Sequence, residues 1–212
     1  MGGRGTASGF PTNQPGQSVA QPQQETLEDY LGQAGTPLDL DTAMKRANPN
    51  YQTSKANGDG KYTKNCQRCV WAVELLRRGY DVEAMPRTAD NDYASLDENK
   101  PHSFVNGGDP PLNFTGWIGN YWYPAKATDV KNEILKNPDG SRGALVMMAP
   151  GRGHVCNWEI VKGKVVIYDG QVNQKRTMTD ILGRGWKTFQ VARMDNVAIT
   201  DLAKDLVKRR QA

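Results

Sequence analysis

Apolar side chains recur at helical spacing shortly after residue 64. Cys66, Cys69/Val70, Val73 and Leu76 fall at i, i+3/i+4, i+7 and i+10. That single stripe predicts a helix with one buried face and Cys66 at its N-terminal tip. Asn65 is placed to cap it, and Gly79 after Arg78 to end it. Further along, period two replaces this pattern. Residues 154–161 and 164–169 read as strands joined at Lys162-Gly163. An even-numbered turn pairs 161 with 164, so paired numbers sum to 325. Cys156 then faces Asp169 and His154 faces Gln171. His154, Cys156, Trp158 and Ile160 share a sheet face with Val165, Ile167, Asp169 and Gln171, and Asp169 becomes the diagonal neighbour of His154.

Weaker patterns fill in the rest. Strands are predicted over 80–84, 144–149 and 186–194. Helices are predicted over 25–32, after Leu38-Asp39-Leu40-Asp41 with Asp41 as cap and Asn48-Pro49-Asn50 as stop, over 128–136, and over 199–209. Residues 54–60 read as a polar loop. The stretch 87–125 is rich in Gly, Pro and Asn with interspersed aromatics, which points to a lid or binding surface carrying Trp117, Trp122 and Tyr123. Residues 1–24 hold almost no large apolar side chains and read as a disordered leader. The expected organisation is a leader over 1–24, a helical extension over 25–47 and one α+β domain over 48–212, its helix packed on an antiparallel sheet.

Composition narrows the function classes. The chain has 212 residues, 37% of them hydrophobic, and a mean hydropathy of −0.70. No apolar run approaches membrane-spanning length, so no membrane partner is expected. A net charge of +4 is mild. Its basic residues are scattered, and the Lys208-Arg209-Arg210 cluster ends a predicted helix, where cations are favoured, so nucleic acid is not the expected partner. Three cysteines argue against a disulfide framework and for a reducing compartment or a reactive thiol.

A thiol at a helix N-terminus meets the positive end of the backbone dipole, which favours the nucleophilic thiolate. With only two histidines in the chain, His154 is the natural base, Asp169 the acid that orients it, and His102 a surface residue. Asn65 and Gln171 are candidates for donating to an oxyanion or orienting the loop. Two rivals use the same residues: a Cys₃His zinc site from Cys66, Cys69, Cys156 and His154, and a Cys66-x-x-Cys69 redox dithiol.

These stretches resemble the papain-fold toxin family of glutamine deamidases, copies of which are attached to phage head-morphogenesis proteins. The matching segments are Asn65-Cys66-x-x-Cys69, Arg77-Arg78-Gly79-Tyr80-Asp81-Val82-Glu83-Ala84, Gly153-His154-x-x-Asn157, and Gly163-Lys164-Val165-x-x-x-Asp169-x-Gln171. The family's common form has proline between the last two residues, where this chain has Gly170. The resemblance implies a papain-like fold, a Cys66–His154–Asp169 triad, no metal or organic cofactor, and hydrolysis of a glutamine side-chain amide on a protein. It also implies a bacteriophage setting, with head or portal proteins as partners and the bacterial cytoplasm or the virion as location. A peptidase with the same triad, and a virion protein with an inactive papain-like domain, are the alternatives.

Overall fold

The computed structural model describes residues 25–87, 123–150, 152–196, 198–199 and 201–210. The leader, most of the expected lid, His102, Trp117, Trp122 and the Tyr123 side chain lie outside the described residues.

Three short helices come first: α1 (Leu27–Leu31), α2 (Leu40–Ala47) and α3 (Tyr51–Asn57). Asp39 caps α2 rather than Asp41, its Oδ1 accepting the Thr42 N–H at 3.0 Å. Asp41 falls in the first turn instead. The expected loop over 54–60 is largely α3, which ends at Gly58 in the left-handed region.

Helix α4 (Cys66–Arg77) follows, as the apolar stripe predicts, but every residue from Cys66 to Leu76 is buried. One stripe faces the sheet. The other sides are covered by α2 and by the two-stranded ribbon of β1 (Val82–Ala84) and β8 (Val207–Arg209). Gly79 ends the helix at φ 95°, and a Cβ there would stand 2.2 Å from the Gly35 carbonyl oxygen. Only glycine meets both demands.

The main sheet runs β2-β7-β3-β4-β5-β6 and is antiparallel throughout. Its strands are β2 (Tyr123–Ala125), β3 (Arg142–Ala149), β4 (Arg152–Val161), β5 (Lys164–Asp169), β6 (Gln174–Arg176) and β7 (Thr188–Arg193). Alternation splits the core into two layers. Ala144, Val146, Met148, Val155, Tyr168 and Ala192 pack with α2 and α4. On the opposite face, Leu145, Met147, Cys156, Trp158, Ile160, Ile167, Phe189 and Val191 pack under α5 (Val130–Leu135) and α6 (Met178–Leu182).

The β4–β5 register is the predicted one, from Val161↔Lys164 to Asn157↔Tyr168. The turn residues Lys162 and Gly163 both have positive φ, as a two-residue primed turn requires. The ladder stops there. The expected Cys156↔Asp169 and His154↔Gln171 pairs do not form: the ladder to β4 ends at Tyr168, Asp169 pairs with Gln174 of β6 alone, and Gln171 sits in the turn that follows.

The predicted helix over 199–209 is not formed. A 3-10 helix (Asp201–Asp205) leads into β8, whose Lys208 and Arg209 belong to a strand. Pairing with β1 buries Ala203, Leu206 and Val207 in the core, and this tertiary gain overrides helical propensity. Among the described residues, no helix is long and apolar enough to cross a membrane.

Candidate active site

Cys66 is the first residue of α4, and His154 lies near the start of β4. The helix runs alongside that strand. Asn157 donates through Nδ2 to the Val70 carbonyl at 3.1 Å, and Arg77 pairs with Glu159 at 2.7 Å near the far end. This fixes the helix tip beside the beginning of β4. Arg77 also donates to the Leu38 carbonyl at 2.7 Å, tying the approach to α2 onto the same helix.

Gly170 brings the third element in. A Cβ on it would stand 2.6 Å from Val73 Cγ2 and 3.5 Å from the Cys69 carbonyl oxygen. Without a side chain, the end of β5 presses directly against α4, and this pulls residues 170 and 171 out of pairing with β4. Asp169 is left at the mouth between helix and strand.

The three residues meet there. His154 Nε2 lies 2.9 Å from Asp169 Oδ2, and Cys66 comes close enough to the same ring to favour its charged form. With Nε2 engaged by the carboxylate, Nδ1 is the nitrogen left to the sulfur. Burial is the largest single influence on the ring and opposes its charge. The hydrogen bonds to Asp169 and Cys66, and the negative charge of both, outweigh it and push His154 up to about 10. Burial, reinforced by nearby negative charge, drives Cys69 and Cys156 well above the ordinary thiol range and keeps both protonated.

Asn65 stands at the N-cap position of α4, but its side chain makes no capping bond. Instead it is the hub of a buried network. Its Oδ1 accepts from Cys69 Sγ at 3.3 Å, Gln171 Nε2 at 3.4 Å and Asn48 Nδ2 at 3.4 Å. Its Nδ2 faces Asn48 Oδ1 at 3.3 Å and the Met85 carbonyl at 3.2 Å. Asn48 also donates to the Gln171 carbonyl at 2.9 Å, and the Gln171 N–H donates to Asp169 Oδ1 at 3.2 Å. The network therefore locks the helix start, the segment before it and the Asp169 turn together. Of the two roles expected for Asn65 and Gln171, the geometry serves loop orientation, since the Asn65 amide points inward to protein acceptors.

Sequence reasoning missed two residues here. Arg176 brings Nη2 to 3.9 Å from Asp169 Oδ2, the oxygen that His154 uses. It sits on β6, a strand too short to show a pattern. Gln67 follows Cys66, is 4% exposed, and has a buried Nε2 with no hydrogen-bond partner. Intrahelical donation in α4 begins with the Arg68 N–H to the Asn65 carbonyl, so the Cys66 and Gln67 N–H groups precede the bonded ladder.

A thiol at a helix tip, an imidazole beside it and a buried carboxylate behind the imidazole form the arrangement used in acyl transfer through a thiol. The profile of the family described as papain fold toxin 1, glutamine deamidase, matches residues 64–174, a little over half of the chain. The chain belongs to this family. Its fold is the papain fold, α+β with helices against antiparallel sheet. Among curated proteins, none matches the chain. The matched span runs from just before Cys66 to just past Gln171 and so encloses the whole cluster. Within the Arg77–Ala84 stretch, the motif residues carry structure: Arg78 pairs with Glu74 at 2.7 Å and Glu83 with Lys208 at 2.9 Å. Among the described residues, no three His, Cys, Asp or Glu side chains gather as a metal site would require. The Cys69 thiol is spent on Asn65.

Proposed function

We propose that the protein is a glutamine deamidase of toxin type that works through Cys66, His154 and Asp169. The observation that carries this is the chain of contacts from the Cys66 sulfur through the His154 ring to Asp169, in a chain of a glutamine deamidase family.

In this reading, the Cys66 thiolate attacks the side-chain carbonyl carbon of a protein glutamine while His154 holds the proton. The N–H groups at the tip of α4 face the oxyanion that develops. His154 then passes its proton to the departing nitrogen, ammonia leaves and a thioester remains. Water, deprotonated by His154, attacks the thioester, releases glutamate and returns Cys66. Asp169 keeps Nε2 protonated and the ring aligned through both halves. The phage-head setting rests only on the resemblance of the Gly/Pro/Gln-rich leader and the Asn48-Pro49-Asn50-Tyr51 stretch to phage head-morphogenesis polypeptides. Co-sedimentation with capsids would test it.

The decisive experiment incubates the protein with glutamine-containing proteins and reads ammonia release together with the mass change. Deamidation predicts ammonia in step with replacement of NH₂ by OH, lost in Cys66→Ala. Chain cleavage without that change would make the protein a peptidase.

A further inference from the structure

Arg152 opens β4 two residues before His154, on the same strand face, about 7 Å along the chain. Its side chain is exposed, yet its guanidinium is fixed in place. It sits 4.4 Å above the Trp186 ring and donates to the Arg184 carbonyl oxygen. The segment beneath is anchored to β3, where the Lys187 N–H donates to the Met148 carbonyl at 2.7 Å and Thr188 pairs with Met148. Arg152 is exposed at the start of β4, and Arg184 and Lys187, also exposed, flank the Trp186 on which it rests.

Arg152 and Lys187 form no ion pair among the described residues, and Arg184 is only in electrostatic reach of Asp180. By contrast, Lys175 pairs with Asp41 at 2.8 Å, and Arg176 faces Asp169. Between residues 174 and 187 the one acid is Asp180, and its carboxylate accepts the Thr177 N–H at 3.0 Å and hydroxyl at 2.7 Å in a capping box. Exposed cations of one sign on adjoining chain favour an incoming anion. The Trp186 platform also holds Arg152 in advance, so little side-chain freedom is lost when it pairs.

We propose that Arg152, Arg184 and Lys187 dock acidic residues that flank the target glutamine of a protein substrate. The identity of the docked chain rests on the deamidase reading. The preference for anionic peptide does not, and so it can be measured separately. Cys66→Ala protein is titrated, by fluorescence anisotropy, into labelled peptides with one glutamine flanked by glutamates, by glycine and serine, or by lysines. A single-stranded oligothymidine of matched charge is the fourth probe. The glutamate-flanked peptide should bind tightest and weaken as salt rises. An Arg152→Glu/Lys187→Glu variant, shown by urea melting to be folded, should bind it about tenfold more weakly. Equal binding of the acidic and neutral peptides overturns the proposal, as does an unaffected reversal variant. Tighter binding of the oligonucleotide overturns it in favour of a nucleic-acid surface. If the wild type releases no ammonia from any peptide while the acidic preference holds, the docking surface stands and the deamidase reading fails.

Discussion

His154 Nε2 and Asp169 Oδ2 lie 2.9 Å apart although no ladder hydrogen bond joins β4 and β5 at their level. The pair forms across the gap opened where Gly170 turns the chain onto α4. A carboxylate on Nε2 fixes the tautomer and leaves Nδ1 for the thiol. The contact therefore defines a direction for proton movement as well as a shape.

This geometry sets the direction of effects on His154. Because Asp169 and Cys66 each favour the charged ring through hydrogen bonding and through charge, both Asp169→Asn and Cys66→Ala should lower the ring below about 10. NMR titration of the His154 ring protons checks this. The ring is raised on folding from an ordinary 6.5. Its stabilising contribution is thus complete below 6.5 and fades as pH climbs through about 10. The stability difference between wild type and His154→Gln should shrink over that window in urea melts.

Gly170→Ala places a methyl group 2.6 Å from Val73 Cγ2. Overpacking of this kind costs about 1–3 kcal/mol, and here it also pushes Asp169 away from the ring. Both stability and Cys66 alkylation by iodoacetamide should fall. A Val73→Ala second change should restore much of each, and a double-mutant cycle measures the coupling.

Gln171→Ala removes a link of the Asn65 network without touching the sulfur. The expected loss is about 1–2 kcal/mol, from a buried acceptor on Asn65 left with fewer donors. Turnover should drop with little change in KM, since the role is to hold the Asp169 turn. A rise in KM alone would instead place Gln171 on the substrate.

Glu74 tests the scaffold apart from the chemistry. Its carboxylate is buried and meets Arg142 at 3.0 Å and Arg78 at 2.7 Å. Glu74→Ala leaves two guanidinium groups short of their counter-ion and should cost about 3–5 kcal/mol. The alkylation rate of Cys66 in the protein that stays folded should be unchanged.

The parts of this fold legible in the sequence are those whose periodicity and packing agree. The Cys66 stripe and the Lys162-Gly163 turn yield α4 and the β4–β5 register because local pattern and burial point the same way. The failures have physical causes. Burial of α4 on all sides is invisible to a one-stripe reading, since Gln67, Arg68 and Glu74 look solvent-facing. Residues 207–209 carry no strand pattern of their own and become β8 because β1 offers an edge. Asn65 has the chemistry of a cap, and only the tertiary approach of Asn48 and Gln171 turns it inward. At the site itself, the His154–Asp169 contact is anticipated, but by way of a pairing that does not occur. Gly170 achieves it by close approach to the helix instead.

The most direct test of the account is ammonia release from a protein glutamine, followed together with the mass of the modified peptide, for wild type and Cys66→Ala. The account predicts release in step with conversion of that glutamine to glutamate by the wild type, and neither by the variant. Conversion that persists in Cys66→Ala would contradict it.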